Sequence, residues 1–144
     1  SSDLLLDDLL PSVDIVLDCT DNFSTRQLIN ASCVKHRKPL VSGSALRFDG
    51  QVSVFDPRNL ASPCYACIFS PDEQFEEVSC SSMGVFAPLV GIIGTMQAAQ
   101  ALQVLIGFGE PLVGRMLLWN ARTTQIDEIK IARNTECSVC KTPH

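Results

Sequence analysis

Two cysteine pairs are the groups in this chain best suited to chemistry. Cys64 and Cys67 lie in SPCYACIF, and Cys137 and Cys140 lie in ECSVCKTP, each pair separated by two residues. A Cys-x-x-Cys pair lets two thiolates reach one ion from a tight turn, and two pairs supply the four sulfurs of a tetrahedral zinc site. Four sulfur ligands leave no open coordination position, so a zinc held this way is structural rather than catalytic. The two pairs stand further apart than in a compact zinc ribbon. The spacing also suits a redox dithiol, which would account for one pair but not for both.

A second group of polar residues closes an apolar run. VDIVLDCTDN, residues 13–22, reads as a buried parallel strand over 13–18 with acids at its carboxyl end. Open α/β sheets bind ligands at the carboxyl ends of their strands. Asp18 and Asp21 could there hold a magnesium ion and, through it, phosphates. Thr20, Asp21 and Asn22 are equally suited to capping the helix that follows, and the residue types serve either role.

The elements around these groups follow from periodicity. NFSTRQLINASCVKHRK, residues 22–38, reads as a helix with Phe23, Leu28, Ile29 and Val34 turned to a core, and Pro39 marks its end. PLVSGSALRF and GQVSVFD read as the next two strands. A helix linking strand 13–18 to the strand after Pro39 makes a βαβ unit, hence a parallel pair. SPDEQFEEVSCSS reads as a mobile loop. GRMLLWNA and TQIDEIKI read as a closing hairpin. A zinc ion at the four cysteines would tie the C-terminus to the loop after the third strand.

No charged residue occurs from Val78 to Gly109, and that stretch is long enough to span a bilayer. It also carries Pro88, four glycines from Gly84 to Gly107, and glutamines at 97, 100 and 103. Glutamines three apart share one side of a helix, so the expectation is a helix buried on most sides with one polar stripe, not a membrane span.

The chain has 144 residues, 46% apolar and 19% charged, which suits one domain with a core. A net charge of −5 argues against non-specific nucleic-acid binding. The N-terminal SSDLLLDDLL is acidic and lacks the basic start of a secretory signal. Seven cysteines, an odd number without an export signal, suit a reducing, cytoplasmic setting with thiols used for metal or chemistry.

Five stretches together carry a family resemblance: VLDCTDNFSTR, PLVSGSALRFDGQVSVFD, PCYAC, SCSSMGVFAPLVGIIGTMQAAQALQVL and CSVC. In order and spacing, over nearly the whole chain, they closely resemble the MoeB/ThiF/HesA family, relatives of the ubiquitin-activating enzymes. The likeness is nearest to the molybdopterin-synthase adenylyltransferase branch, including members that also carry a rhodanese domain. It implies an enzyme that uses ATP and magnesium to adenylate the C-terminal glycine of a ubiquitin-like sulfur carrier of the MoaD or ThiS type. A thiocarboxylate for molybdenum cofactor or thiamine synthesis then follows by sulfur transfer. The resemblance further implies a homodimer and a sulfur donor such as a rhodanese or a cysteine desulfurase.

Residue by residue, Asp21 matches the family aspartate that binds magnesium and the ATP phosphates, with Asn22 beside it at the cofactor. Cys64, Cys67, Cys137 and Cys140 match the family's zinc ligands. Cys80 matches a cysteine that in ThiF-like members links covalently to the carrier; a spectator thiol on a loop is the plain alternative. The family's glycine-rich phosphate loop has no counterpart, since the sequence contains no Gly-x-Gly-x-x-Gly. Arg37, Lys35 and Lys38 do not replace the family's basic phosphate ligands. The expected fold is α/β: residues 1–144 as the C-terminal half of a Rossmann-like mixed-sheet domain with a zinc clamp. Such a half, alone, is not expected to adenylate. A competing reading is a non-enzymatic, zinc-stabilised module that binds a ubiquitin-like protein without ATP, and a thiol-redox protein is a third.

Overall fold

A computed structural model describes residues 2–72 and 84–141. Helix α1 (Ser2–Leu9) and a 3₁₀ turn (Leu10–Ser12) lead into strand β1 (Val16–Asp18). Helix α2 (Phe23–His36) crosses to strand β2 (Leu40–Leu46), which turns back into β3 (Asp49–Phe55). A short helix α3 (Tyr65–Ile68), a long helix α4 (Ala87–Ile106) and strands β4 (Arg115–Asn120) and β5 (Gln125–Lys130) follow.

The five strands form one mixed sheet in the order β1-β2-β3-β4-β5. β1 and β2 run parallel, as the strand–helix–strand pattern predicts, with Val16 opposite Leu40 and Asp18 opposite Ser42. The remaining pairs are antiparallel, and β4 with β5 is the expected hairpin. β1 is shorter than the apolar run that announces it. Pro11 lies in the 3₁₀ turn, whose closing bond runs from the Val13 N–H to the Leu10 carbonyl. Pairing begins only where the Val16 N–H reaches the Pro39 carbonyl, at 3.0 Å. α2 stops because Arg37 takes the left-handed conformation, φ 56°, and its N–H bonds back to the last turn.

Alternation along β2 and β3 divides the core between the two faces of the sheet. Val41, Val52 and Val54 pack under α4 with Leu89 and Ile93. Leu40, Phe55, Tyr65 and Met116 pack on the opposite face with Cys33 and Leu10. Helix α1, which periodicity does not announce, joins this second layer; its Asp7 carboxylate meets Lys35 Nζ at 3.0 Å and His36 Nε2 at 2.9 Å.

Helix α4 corrects the expectation twice: it is exposed on most sides rather than buried, because only one side meets the sheet, and its glutamine side is the inward one. It carries a glutamine stripe, but Gln97 and Gln100 are buried against the sheet, at 2% and 6% exposure. Val90, Leu102, Leu105 and Ile106 are its large apolar side chains left exposed. The reason is hydrogen bonding: Gln97 Nε2 donates to the carbonyls of Asp18, at 2.9 Å, and Val41, at 3.2 Å. Gln100 Oε1 accepts from the Leu112 N–H at 2.7 Å. Buried backbone groups at the sheet end need partners, and the glutamines supply them. The helix is long and apolar enough to cross a membrane by length and composition; here it lies along β2 and β3.

Candidate functional site

The four hook cysteines converge. Cys64 and Cys67 flank the first turn of α3, after β3, while Cys137 and Cys140 lie beyond β5. Sulfur–sulfur distances are 3.8 Å for Cys64–Cys137, 3.4 Å for Cys67–Cys140 and 4.0 Å for Cys64–Cys67. All four sulfurs lie within 4.8 Å of one another. A tetrahedral Zn–S length of about 2.3 Å requires sulfurs about 3.8 Å apart, so the donor set fits zinc in number, type and spacing.

The surroundings fit as well. Asn30 is buried and donates from Nδ2 to Cys64 Sγ at 3.5 Å, while its Oδ1 accepts the Tyr65 N–H at 2.9 Å. The Cys64 N–H points at Cys67 Sγ, 3.4 Å away. Such donors hold thiolate ligands in place and tune them. Crowding splits the acidities of Cys64, Cys67 and Cys140. The neighbouring Cys64 hydrogen bond brings the Cys67 thiol down to about 4. The same contact and burial push Cys64 well up, and burial with the Cys67 contact pushes Cys140 up to about 11. Cys33 is unconnected with this cluster; burial in the core, then the nearby Asp18 carboxylate, raise its thiol to about 12.

The acids at the end of β1 separate into two roles. Asp18 is 2% exposed, and its Oδ1 accepts from the Thr20 N–H at 2.8 Å and the Thr20 hydroxyl at 2.7 Å. Its other oxygen lies 3.9 Å from the Arg26 guanidinium. Asp18 is therefore an internal brace, turned away from ligands. Asn22 is the cap of α2: its Oδ1 accepts the Thr25 N–H at 2.9 Å. That leaves Asp21, exposed and relieved of capping, on the wall of a cavity of about 310 Å³. Gly43, Gly94 and Gln97 line the same cavity, between the ends of β1 and β2 and the first half of α4. Gln97 lies so close over Gly43 that a Cβ there would come within 2.2 Å of it.

Cys80 lies outside the described residues, as does most of the stretch read as a mobile loop. Arg26 shapes the site without any motif to announce it, while Asp18 and Gln97, both conspicuous in the sequence, serve as braces rather than as the metal ligand and polar stripe they suggest. Arg26 bonds to the nearby Thr20 carbonyl and to Ser42 and Gly43 on the next strand, contacts that no residue pattern encodes.

The ThiF family sequence profile matches residues 2–139. The chain belongs to the ThiF family. It is 43% identical over 143 residues to the molybdopterin-synthase adenylyltransferase of Escherichia coli K12, an alignment covering 94% of this chain and 56% of that protein. It is 42% identical over 137 residues to the sulfur carrier protein adenylyltransferase of Thermus thermophilus, covering 92% of this chain and 51% of that protein. This ThiF-family chain thus spans about half the length of the curated relatives it matches. Among solved structures, Escherichia coli MccB superposes on 96% of the chain and 43% of its own length, with a TM-score of 0.76 at 17% identity. That likeness shows the shared mixed-sheet fold.

Proposed function

We propose that this chain is the part of an adenylyltransferase that carries its magnesium aspartate and its structural zinc, and that the enzyme activates a ubiquitin-like sulfur carrier. The single observation carrying the reading is Asp21. It is an exposed carboxylate freed from capping, at a cavity formed by the carboxyl ends of two parallel strands. The names of the relatives at 42–43% identity supply the reaction class.

In this reading, the C-terminal carboxylate of the carrier attacks the α-phosphorus of ATP, forming an acyl-adenylate and releasing pyrophosphate. When bound, magnesium would neutralise charge on the triphosphate. Asp21 would hold that ion at the cavity wall, since magnesium takes one or two carboxylates along with substrate phosphates. Gln97 and the Asp18 brace keep the strand end fixed behind it. Residues 1–144 contain no Gly-x-Gly-x-x-Gly, so the backbone cradle for the phosphates would come from another part of the enzyme. Cys64, Cys67, Cys137 and Cys140 would hold a zinc ion that ties the segment after β5 to α3, and with four sulfur ligands it would have no open position for the reaction. By the family resemblance, Cys80 would link covalently to the activated carrier with loss of AMP, and sulfur would come from a rhodanese or a cysteine desulfurase. The setting is cytoplasmic and the enzyme a homodimer.

The test is carrier-dependent exchange of pyrophosphate into ATP, using the complete protein and a MoaD-type carrier. Exchange that requires the carrier's terminal glycine is the expected result. Binding of the carrier without any binding of ATP would favour a zinc-stabilised recognition module instead, a reading favoured by the lack of a Gly-x-Gly-x-x-Gly in these residues.

A further inference from the structure

We propose that Arg26 is a positioning residue for Asp21: its buried guanidinium fixes the peptide plane from which the Asp21 carboxylate is carried into the cavity. The inference rests on the reading of Asp21 given above and adds to it the device that holds this group in place.

Arg26 lies in the first turns of α2 and is 7% exposed. A buried cation needs a partner, and Asp18 is the obvious one. Yet the two are 3.9 Å apart, beyond a hydrogen bond, and the parallel fork of an Arg–carboxylate pair is not made. The donors are spent elsewhere. One terminal nitrogen donates to both the Thr20 carbonyl and the Gly43 carbonyl, the latter at 2.6 Å, and the other to Ser42 Oγ at 3.3 Å. Thr20 belongs to the turn after β1, and Ser42 and Gly43 belong to β2. The guanidinium therefore pins the turn to the neighbouring strand.

The carbonyl it holds is the one that matters for Asp21. Peptide planarity makes the Thr20 C=O and the Asp21 N–H one rigid unit. Thr20 is also held by its N–H and its hydroxyl, both donating to Asp18. On the far side, Asn22 is fixed by capping α2. Asp21 thus stands between two anchored neighbours, with its own side chain left for the cavity. A residue kept only to neutralise Asp18 would not need to reach two backbone carbonyls on different elements.

The test uses the complete protein, magnesium and a non-hydrolysable ATP analogue, with affinity read by calorimetry over a range of magnesium concentrations. Arg26→Lys keeps a cation facing Asp18 but cannot span two carbonyls and Ser42 at once. The expected result is a loss of about ten-fold in the magnesium-dependent part of nucleotide affinity, the scale of one hydrogen bond to a charged group. On an Asp21→Asn background the same change should add nothing, because Arg26 acts through Asp21. Wild-type magnesium dependence in Arg26→Lys, or a loss that multiplies that of Asp21→Asn, overturns the positioning role while leaving Asp21 itself in place. Wild-type binding by Asp21→Asn overturns both. Should Arg26→Lys not fold, Ser42→Ala removes one of the three anchors under the same criteria: a smaller loss, absent on the Asn background, supports the role, and no loss at all overturns it.

Discussion

Asp21 and the four cysteines are the residues on which a functional reading stands, and each gives a sharp expectation. Asp21→Asn keeps the shape and removes one charge. Because Asn22 is the cap of α2, melting should be nearly unchanged. An amide oxygen is a poorer magnesium ligand than a carboxylate, and loss of one such electrostatic group typically costs about 2.7–4 kcal/mol, roughly 10²–10³ in rate. Carrier-dependent pyrophosphate exchange and a melting curve on one sample check this; wild-type exchange would leave Asp21 without a role. For the cysteines, one zinc per chain is expected by elemental analysis, and Cys137→Ser should lower both zinc content and melting temperature. Zinc uptake must displace the protons held on Cys64 and Cys140, whose thiols are both raised. Affinity should therefore rise with pH and fall by at least about ten-fold per unit on acidification, read by competition with a chelator. The cysteine cluster was legible in the sequence because spacing within each hook encodes a turn. The split between Asp18 and Asp21 was not, because it depends on Thr20 and Arg26 occupying the Asp18 carboxylate and on Asn22 taking the cap, which only the folded turn decides.

At the scale of elements, the βαβ unit, the closing hairpin and the long helix all follow from periodicity, and the structure has them where the pattern puts them. Helix α1 does not follow: its leucines do form one side, with Leu6 and Leu10 four apart and turned inward, but eight residues are too few for that pattern to stand out. The orientation of α4 does not follow either. Composition identifies a glutamine stripe and an apolar remainder, but only the carbonyls of Asp18, at the end of β1, and Val41, within β2, explain why the stripe turns inward. Gln97→Leu tests that account. It preserves helix propensity and adds apolar bulk, so a hydrophobic ledger alone predicts gain. Leaving the Asp18 and Val41 carbonyls without their donor should instead destabilise by about 1–3 kcal/mol. Gly43→Ala should act through the same contact, because its Cβ would fall 2.2 Å from the Gln97 side chain. The two changes combined should cost clearly less than their sum, as chemical denaturation of the two singles and the double would report. Strict additivity would mean that Gln97 is not the group displaced.

For the whole molecule, the inward turn of the glutamines has an outward consequence. Leu102, Leu105, Ile106 and Phe108 stand at 53%, 51%, 69% and 52% exposure, close together at the C-terminal end of α4. Scattered exposed apolar residues need no explanation, but a cluster on one helix end does. The chain spans about half the length of its curated relatives, so two occupants compete: the rest of the same chain, or a second copy. The family resemblance and the self-complementary character of a two-fold contact favour the second copy. The expectation is a dimer of the complete protein, dissociating to monomers on Leu102→Glu with Ile106→Glu. Two buried carboxylates facing their own symmetry mates would be strongly unfavourable in an isologous interface. Neither residue touches the Asp21 cavity or the cysteine cluster, so zinc content and nucleotide affinity per chain should be retained. Sedimentation across a wide concentration range distinguishes the occupants. A wild-type protein that stays monomeric, with the double substitution lowering its melting temperature, would show that the face is covered from within the chain.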